Sequence, residues 1–201
     1  MATYFEKRSK EPYYKYVRML LGVLSYNAKS VCDVGSNGTD MISWLPCQEK
    51  VSIDLRNPLY ADGVQSIKAD FITYDFQKKI DIITCFQVME HIKDDQIHAF
   101  ADKLLAVTEK LLIVSVPYMW AKGACKYHVQ DPVDEEKFLS WFDKSPEAPL
   151  KPVFSRVIYN IKKSSSGERA IGRLVVIFAA REIADALDKL NKGSNWLIRY
   201  L

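Results

Sequence analysis

Short apolar runs alternate with amphipathic stretches along the first three quarters of the chain. Tyr14, Val17, Leu21 and Leu24 recur at helical spacing, which predicts a helix over Glu11–Asn27. The near-continuous apolar runs predict five buried strands, Ser30–Val34, Val51–Leu55, Ser66–Asp70, Ile80–Phe86 and Lys110–Val116, the last closed by Pro117. Between and after them the pattern predicts helices over Thr39–Trp44, Asp94–Thr108 (with Asp94 and Asp95 at its N-terminus) and Glu135–Phe142.

The pattern changes after Asp143. Val153–Lys162 and Arg173–Ala180 read as two long strands around the turn Ser164–Glu168, hence an antiparallel hairpin. Ile183, Leu187 and Leu190 mark a last helix that ends at Gly193. Strands that are apolar throughout and separated by helices form sheets covered on both faces. We therefore predict an α/β fold: a doubly wound, seven-stranded, mostly parallel sheet with helices on both faces and a C-terminal antiparallel β-hairpin.

Length and composition favour a single soluble domain. The chain has 201 residues, 48% hydrophobic and 26% charged, and a net charge of +3. We divide it into an N-terminal helical extension (1–29), a core (30–143), and the hairpin with the terminal helix (144–201). The chain has no block of five like charges, so its charge pattern does not indicate nucleic-acid binding. No apolar stretch is long enough for a membrane span. The N-terminus lacks the apolar region of a secretory signal, and four scattered cysteines favour reduced thiols, so we expect a cytoplasmic protein.

Polar and glycine residues follow the first predicted strand. In open α/β sheets ligands bind beyond the carboxyl ends of the strands, so these positions are the ones to inspect. The loop consists of Asp33, Val34, Gly35, Ser36, Asn37 and Gly38. Its glycines let a ligand pass close to the backbone, but their spacing does not fit the GxGxxG pattern of dinucleotide dehydrogenases. An acid two residues before the first glycine suits a cationic ligand, such as the ammonium of an amino acid.

The next three strands also end in candidate ligand residues. Asp54 lies 21 residues after Asp33 (54 − 33), where a carboxylate accepts ribose hydroxyls, and Leu55 follows it. Asp70 and Phe71 pair an acceptor with an aromatic ring, which suits an adenine, and Phe86 and Gln87 end the fourth strand. Each is an ordinary strand end by itself, but their order predicts a nucleoside site.

These segments together resemble the class I S-adenosylmethionine-dependent methyltransferases over roughly Ser30 to Asp143. SVCDVGSNGTDM resembles the family's cofactor loop, VSIDL the ribose strand, KADF the adenine segment, CFQVMEHI the post-strand Glu-His segment, and KLLIVSVPY the fifth strand. Asn37 and Thr39 stand where the second and third loop glycines are usual. The resemblance implies S-adenosylmethionine as cofactor, with the last strand antiparallel between the fifth and sixth. The implied cofactor residues are Asp33, Gly35, Ser36, Asn37, Gly38, Asp54, Leu55, Asp70, Phe71, Phe86 and Gln87.

Methyl transfer to a hydroxyl also needs a base that takes the proton. The segment after the fifth strand, 118–132, contains His128 and Asp131, and we expect His128 to be the base with Asp131 orienting it. His91, of the Glu-His pair, is the competing catalytic candidate, whereas His98 lies within a helix and is predicted to be exposed. Asp131 and Asp134 alone do not make a cation site, so no metal is predicted.

The acceptor is the least determined part of this hypothesis. Residues 118–142 also resemble methyltransferases of polysaccharide and glycan modification, which favours O-methylation of a small molecule or a glycan. Three alternatives remain: a nucleic-acid methyltransferase with a basic hairpin face, a non-catalytic cofactor-binding scaffold, and a nicotinamide oxidoreductase. The face would consist of Lys162, Lys163, Arg169 and Arg173, but the weak net charge and the missing signature for base amines make nucleic acid an improbable partner. The oligomeric state is not predicted.

Overall fold

A computed structural model of the chain describes residues 8–143, 145, 148–164 and 167–194. The helices are α1 (Pro12–Leu24), α2 (Ile97–Val107), α3 (Glu135–Ser140) and α4 (Arg181–Ser194), with a 3₁₀ turn at Met89–His91. The strands are β1 (Ser30–Val34), β2 (Glu49–Asp54), β3 (Gln65–Lys68), β4 (Ile80–Phe86), β5 (Thr108–Tyr118), β6 (Leu150–Ser164) and β7 (Gly167–Ala180).

All seven strands belong to one sheet, in the order β3-β2-β1-β4-β5-β7-β6. Strands β1 to β5 pair in parallel, whereas β7 runs antiparallel between β5 and β6. The predicted fold class is confirmed, including the position of the last strand. Because β1, β2 and β4 are parallel neighbours, their carboxyl ends lie together at one edge of the sheet.

Side chains are buried on both faces of the sheet. On one face α2 and α3 contribute Phe100, Leu104 and Phe138 to a core shared with the strands. On the other face α1 contributes Tyr13, Val17 and Leu21. The two layers explain why the central strands are apolar at nearly every position. Among the described helices, none combines the length and the hydrophobicity needed to cross a bilayer.

The predicted helix at Thr39–Trp44 is wrong. This segment consists of turns that still bury Met41 and Ile42. The Asp40 carboxylate accepts bonds from the backbone N–H of Ser43 at 3.0 Å and from its hydroxyl at 2.5 Å. Local side-chain bonds of this kind compete with helical hydrogen bonding. The apolar residues of this segment are therefore buried by turns and not by a helix.

Several element boundaries also differ from expectation: β7 begins at Gly167 and not at Arg173, β6 extends over Leu150–Ser164, and α1 ends at Leu24. Strand β5 does not stop at Pro117 but continues to Tyr118, paired with β7. Its pairing with β4 ends at Ser115, and proline is tolerated where a sheet neighbour has ended. Helix α2 begins at Ile97 rather than Asp94, because Asp94 accepts a bond from the side-chain amide of Gln130 at 2.7 Å instead of capping the helix. Residues 165 and 166 of the predicted turn lie outside the described residues.

Candidate functional site

Two adjoining cavities open at the carboxyl edge of the sheet. The outer cavity, of about 640 Å³, lies against the ends of β2 and β3, and the inner cavity, of about 350 Å³, lies over β1, β4 and β7. They share Gly35, Asn37, Gln87, His91 and Tyr127. The outer cavity collects the predicted residues Asp54, Leu55, Asp70 and Phe71, and the inner cavity collects Asp33, Ser36, Phe86 and His128. Gly38 and Asp131 line neither cavity.

The loop after β1 turns through left-handed backbone conformations. Gly35, Asn37 and Gly38 have φ angles of 76°, 45° and 69°. Asparagine is one of the few residues besides glycine that adopt this region readily, which is consistent with Asn37 at a position where a glycine is usual. A Cβ on Gly35 would lie 2.4 Å from Cγ2 of Val88. The close approach of Val88 therefore requires a glycine at position 35, whose backbone lines both cavities.

Asp54 is held at the end of β2 by backbone N–H groups. Its Oδ2 accepts from Asn37 at 2.9 Å, and its Oδ1 accepts from Arg56 and Asn57, each at 2.8 Å. The carboxylate is only partly buried and lines the outer cavity. Since each carboxylate oxygen has about two acceptor sites, Oδ2 keeps one for a ligand hydroxyl.

Asp33 lies buried at the end of β1. The hydroxyl of Thr84 donates to its Oδ1 at 2.6 Å. Burial raises the pKa of Asp33 to about 7, and the neighbouring carboxylates of Asp54 and Asp40 raise it further against the opposing Thr84 bond. A cationic ligand in the inner cavity would favour the ionised form of this group.

Asp70 and Phe71 approach the outer cavity differently. Asp70 accepts from the N–H of Ile72 at 2.9 Å and is exposed. The Phe71 ring packs in the core against Phe100, with ring centroids 5.1 Å apart. Leu55 lines the outer cavity and is 60% exposed.

His128 and Asp131 form the predicted pair. Nδ1 of His128 lies 2.8 Å from Oδ2 of Asp131, and both side chains are buried. Trp120 stacks on the imidazole, with ring centroids 5.4 Å apart and planes inclined by 26°. The His91 ring meets the same imidazole edge-on at 4.9 Å. The structure thus brings both catalytic candidates to one wall of the inner cavity, whereas His98 is exposed and bonds to the carbonyl of Trp141.

Glu90 is a site residue that the sequence analysis did not single out. Its side chain is 1% exposed and lines the inner cavity. Burial raises the pKa of Glu90 to about 8, and the charge of Asp131 adds to the shift. Burial lowers the pKa of the adjacent His91, against the bond that its Nδ1 makes to the carbonyl of Tyr127 at 2.9 Å. The signal for Glu90 in the sequence was the Glu-His pair within CFQVMEHI.

Arg173, which the nucleic-acid alternative placed on a basic hairpin face, is buried instead. Its side chain is 2% exposed and lines the inner cavity. Its Nε donates to Oε1 of Gln87 at 3.2 Å, and its Nη1 forms an ion pair with Glu11 at 3.4 Å. The guanidinium also lies 4.8 Å from the centre of the Tyr13 ring. A charged residue within the apolar run of β7 was the signal in the sequence.

No protein-family model matches the sequence, and no curated protein matches it. Solved structures do match the fold. The N-methyltransferase NodS of Bradyrhizobium japonicum, in complex with S-adenosylhomocysteine, aligns with 90% of this chain and 94% of its own, with a TM-score of 0.63 and 13% identity.

Two further matches are of similar quality. Magnesium protoporphyrin IX methyltransferase of Synechocystis, with bound S-adenosylmethionine, aligns over 90% and 86% (TM-score 0.59, 13% identity). The 1,6-didemethyltoxoflavin-N1-methyltransferase of Burkholderia thailandensis, with bound 1,6-didemethyltoxoflavin and S-adenosylhomocysteine, aligns over 86% and 80% (TM-score 0.61, 12% identity). The fold of the chain is that of the class I S-adenosylmethionine-dependent methyltransferases.

Proposed function

We propose that this protein is an S-adenosylmethionine-dependent methyltransferase. The observation that carries the proposal is the position of Asp54, a partly exposed carboxylate held by three N–H groups at the wall of a cavity that continues into a second one. The neighbours that share the fold bind S-adenosylmethionine or its product. The polar groups of the outer cavity would suit an adenosine, and those of the inner cavity would suit a sulfonium.

The cofactor contacts are proposed residue by residue. Asp54 accepts from a ribose hydroxyl through Oδ2, Asp70 accepts from the adenine amine, and Leu55 covers the base from the accessible side. The loop from Gly35 to Gly38 and the strand end at Phe86 and Gln87 bracket the methionine portion. Asp33 lies beneath this portion and supplies negative charge for the ammonium or sulfonium.

We also propose that the methyl acceptor is a hydroxyl of a small molecule or a glycan. Asp131 accepts from Nδ1 of His128, which leaves the Nε2 lone pair for the hydroxyl proton. The acceptor oxygen then forms a bond to the methyl carbon, the C–S bond breaks, and its electron pair stays on sulfur. The products are a methyl ether, S-adenosylhomocysteine and one proton. The buried position of Arg173 removes one member of the basic face that a nucleic-acid substrate would need.

We retain the proposal of a cytoplasmic location. The thiols of Cys32, Cys47, Cys85 and Cys125 are all free, and the first three are buried. This supports a reducing compartment.

Calorimetric titration with S-adenosylmethionine and, separately, with NAD tests the cofactor. We expect saturable binding of the first and none of the second. Incubation with S-adenosylmethionine and a panel of glycans, small alcohols and RNA then tests the reaction by release of S-adenosylhomocysteine. Cofactor binding without turnover on any hydroxyl acceptor would favour the scaffold alternative.

His128→Ala tests how the hydroxyl is activated. We expect turnover to fall by about 10²- to 10⁴-fold, the usual contribution of a positioned acid–base group, while the affinity for S-adenosylmethionine stays within about twofold. His98→Ala is the control, because the His98 ring bonds to the backbone carbonyl of Trp141 and lies outside both cavities. A loss of only a few-fold in His128→Ala would mean an acceptor that needs no such activation, such as an amine.

A further inference from the structure

We propose that Glu90, His91 and His128 bind a divalent transition-metal cation in the inner cavity. One potential ligand atom from each side chain lies within 4.8 Å of the other two. Ligands of one ion lie up to about 4.2 Å apart, since metal–ligand bonds to nitrogen and oxygen are about 2.0–2.2 Å long. Three ligands of one tetrahedral ion lie closer together, about 3.4 Å apart, so the three groups must approach one another by up to about 1.4 Å to share an ion. The site is distinct from the cofactor contacts, but its use in catalysis rests on the proposed function.

The hydrogen bonds of the two imidazoles prepare them as ligands. The carbonyl of Tyr127 can only accept, so Nδ1 of His91 carries the proton and donates it. The carboxylate of Asp131 accepts from Nδ1 of His128 in the same way. Each ring is then left with an unprotonated Nε2. Metal-binding histidines are typically oriented by such a bond from the other ring nitrogen to a carboxylate or a backbone carbonyl.

Glu90 provides independent evidence that this site binds a ligand. Its Oε2 is buried at the cavity wall and has no hydrogen-bond partner among the described residues, and the same holds for Oδ1 of Asp131 behind His128. A buried carboxylate oxygen without a partner is costly, and a bound cation removes that cost. His91 is more exposed than the other two ligands and lines both cavities, so it provides a route for an ion to enter.

The donor set selects the class of ion. Two imidazoles and one carboxylate suit first-row transition cations such as Zn²⁺, Fe²⁺ and Co²⁺ better than Mg²⁺ or Ca²⁺, which prefer oxygen ligands. Three protein ligands also leave coordination positions open for water or for an acceptor oxygen. A hydroxyl bound to the ion loses its proton at lower pH, and the proton passes to water. When an ion is bound, the lone pair on Nε2 of His128 is used to bind it and cannot take a proton. The ion, and not His128, would then activate the hydroxyl.

The test is direct metal binding by the untagged full-length protein, without cofactor or acceptor. The protein is treated with EDTA, freed of chelator, and titrated with Co²⁺ by visible absorption and with Zn²⁺ and Mg²⁺ by calorimetry. We expect one ion per chain, a ligand-field spectrum with Co²⁺, and Mg²⁺ affinity at least about 100-fold below that of Zn²⁺. Glu90→Gln, His91→Ala and His128→Ala should each weaken Zn²⁺ binding by more than tenfold, and Asp131→Asn by about 10- to 100-fold through the orientation of His128.

His98→Ala is again the control and should bind Zn²⁺ as the parent does. Four binding variants are used so that one misfolded variant, recognised by its thermal unfolding curve, does not decide the result. Absence of stoichiometric binding, or binding that survives in the folded variants, overturns the metal site. If cofactor binding and turnover persist unchanged in the chelated protein while no ion binds, the metal site fails and the proposed function stands. If Zn²⁺ binds as expected but S-adenosylmethionine does not, the metal site stands and the proposed function fails.

Discussion

At the scale of single residues, the site depends on carboxylates that the backbone holds in place before a ligand arrives. Asp54 accepts from three N–H groups, and one of them belongs to Asn37 in a left-handed conformation. The loop and the carboxylate thus orient each other. A ligand that bonds to Asp54 loses little entropy in ordering it, which is the advantage of preorganisation.

Replacement of Asp54 tests the ribose contact. Asp54→Ala should weaken S-adenosylmethionine binding by about 1.5–3 kcal/mol, or roughly 10- to 150-fold, the range for a lost charged hydrogen bond. Asp102→Ala, on the exposed side of α2, serves as the control and should leave the affinity unchanged. Isothermal calorimetry measures both. An unaltered dissociation constant in Asp54→Ala would remove the ribose assignment.

Asp33 should make the unliganded protein less stable as the pH rises. The pKa of Asp33 is about 7 in the folded chain against 3.8 for the ordinary group, so the folded state binds the proton more tightly. Its stabilising contribution is complete below about pH 4 and is lost as the pH rises to 7, by at most about 1.4 kcal/mol per pH unit.

Asp33→Asn is the test of this pH dependence. Urea unfolding between pH 4 and 8 should show a flatter stability profile for the variant than for the parent. The two proteins should be similar near pH 4, and the variant should be more stable above pH 7. Parallel profiles for the two proteins would show that the carboxyl group ionises normally.

At the scale of elements, one buried arginine joins the N-terminal helix to the sheet. Arg173 of β7 contacts Glu11, just before α1, and Gln87, just after β4. Asn160 of β6 donates to the same Glu11 carboxylate at 2.6 Å, and Tyr13 of α1 bonds to Ser115 of β5 at 2.5 Å. Tyr13 and Arg173 line the inner cavity, so α1 forms part of its wall.

Removing Arg173 should therefore cost more than removing the charge of Glu11. Arg173→Ala leaves buried acceptors unpaired and should lower the free energy of unfolding by about 3 kcal/mol, the lower end of the range for a broken buried ion pair. Glu11→Gln changes a side chain that is 23% exposed and keeps one acceptor, so we expect about 1 kcal/mol or less. Urea unfolding compares the two variants. Equal losses would show that the guanidinium contributes mainly through the ion pair.

At the scale of the whole molecule, the proposed cofactor would span both cavities and contact the ends of β1, β2, β3 and β4. A ligand that binds only the folded chain stabilises it by about 2.7 kcal/mol at 100 times its dissociation constant. For a protein of this size we expect S-adenosylmethionine to raise Tm by about 5–10 °C. NAD at the same concentration should leave Tm unchanged. Stabilisation by NAD alone would point to the oxidoreductase alternative.

Local pattern was sufficient to locate the strands, though not all of their limits, and the polar residues that follow them. Ser30–Val34 and Ile80–Phe86 have the predicted limits because buried parallel strands are apolar throughout. Thr39–Trp44 was misassigned because Asp40 forms a local turn with Ser43, and apolar spacing is insensitive to that competition. The close approach of Val88 to Gly35 was equally absent from the pattern, since it joins two loops distant in the chain.

The sequence by itself determined the α/β order, the sheet and the set of polar residues at the strand ends, because these follow from periodicity and from the geometry of parallel sheets. Only the tertiary structure decided that Glu90, His91 and His128 face one another, and that Arg173 is buried beside Gln87. Both groupings depend on how the loop after β5 and the strand β7 pack over the end of β4. Such contacts between distant segments are fixed by packing and hydrogen bonding in three dimensions, and residue spacing along the chain does not specify them.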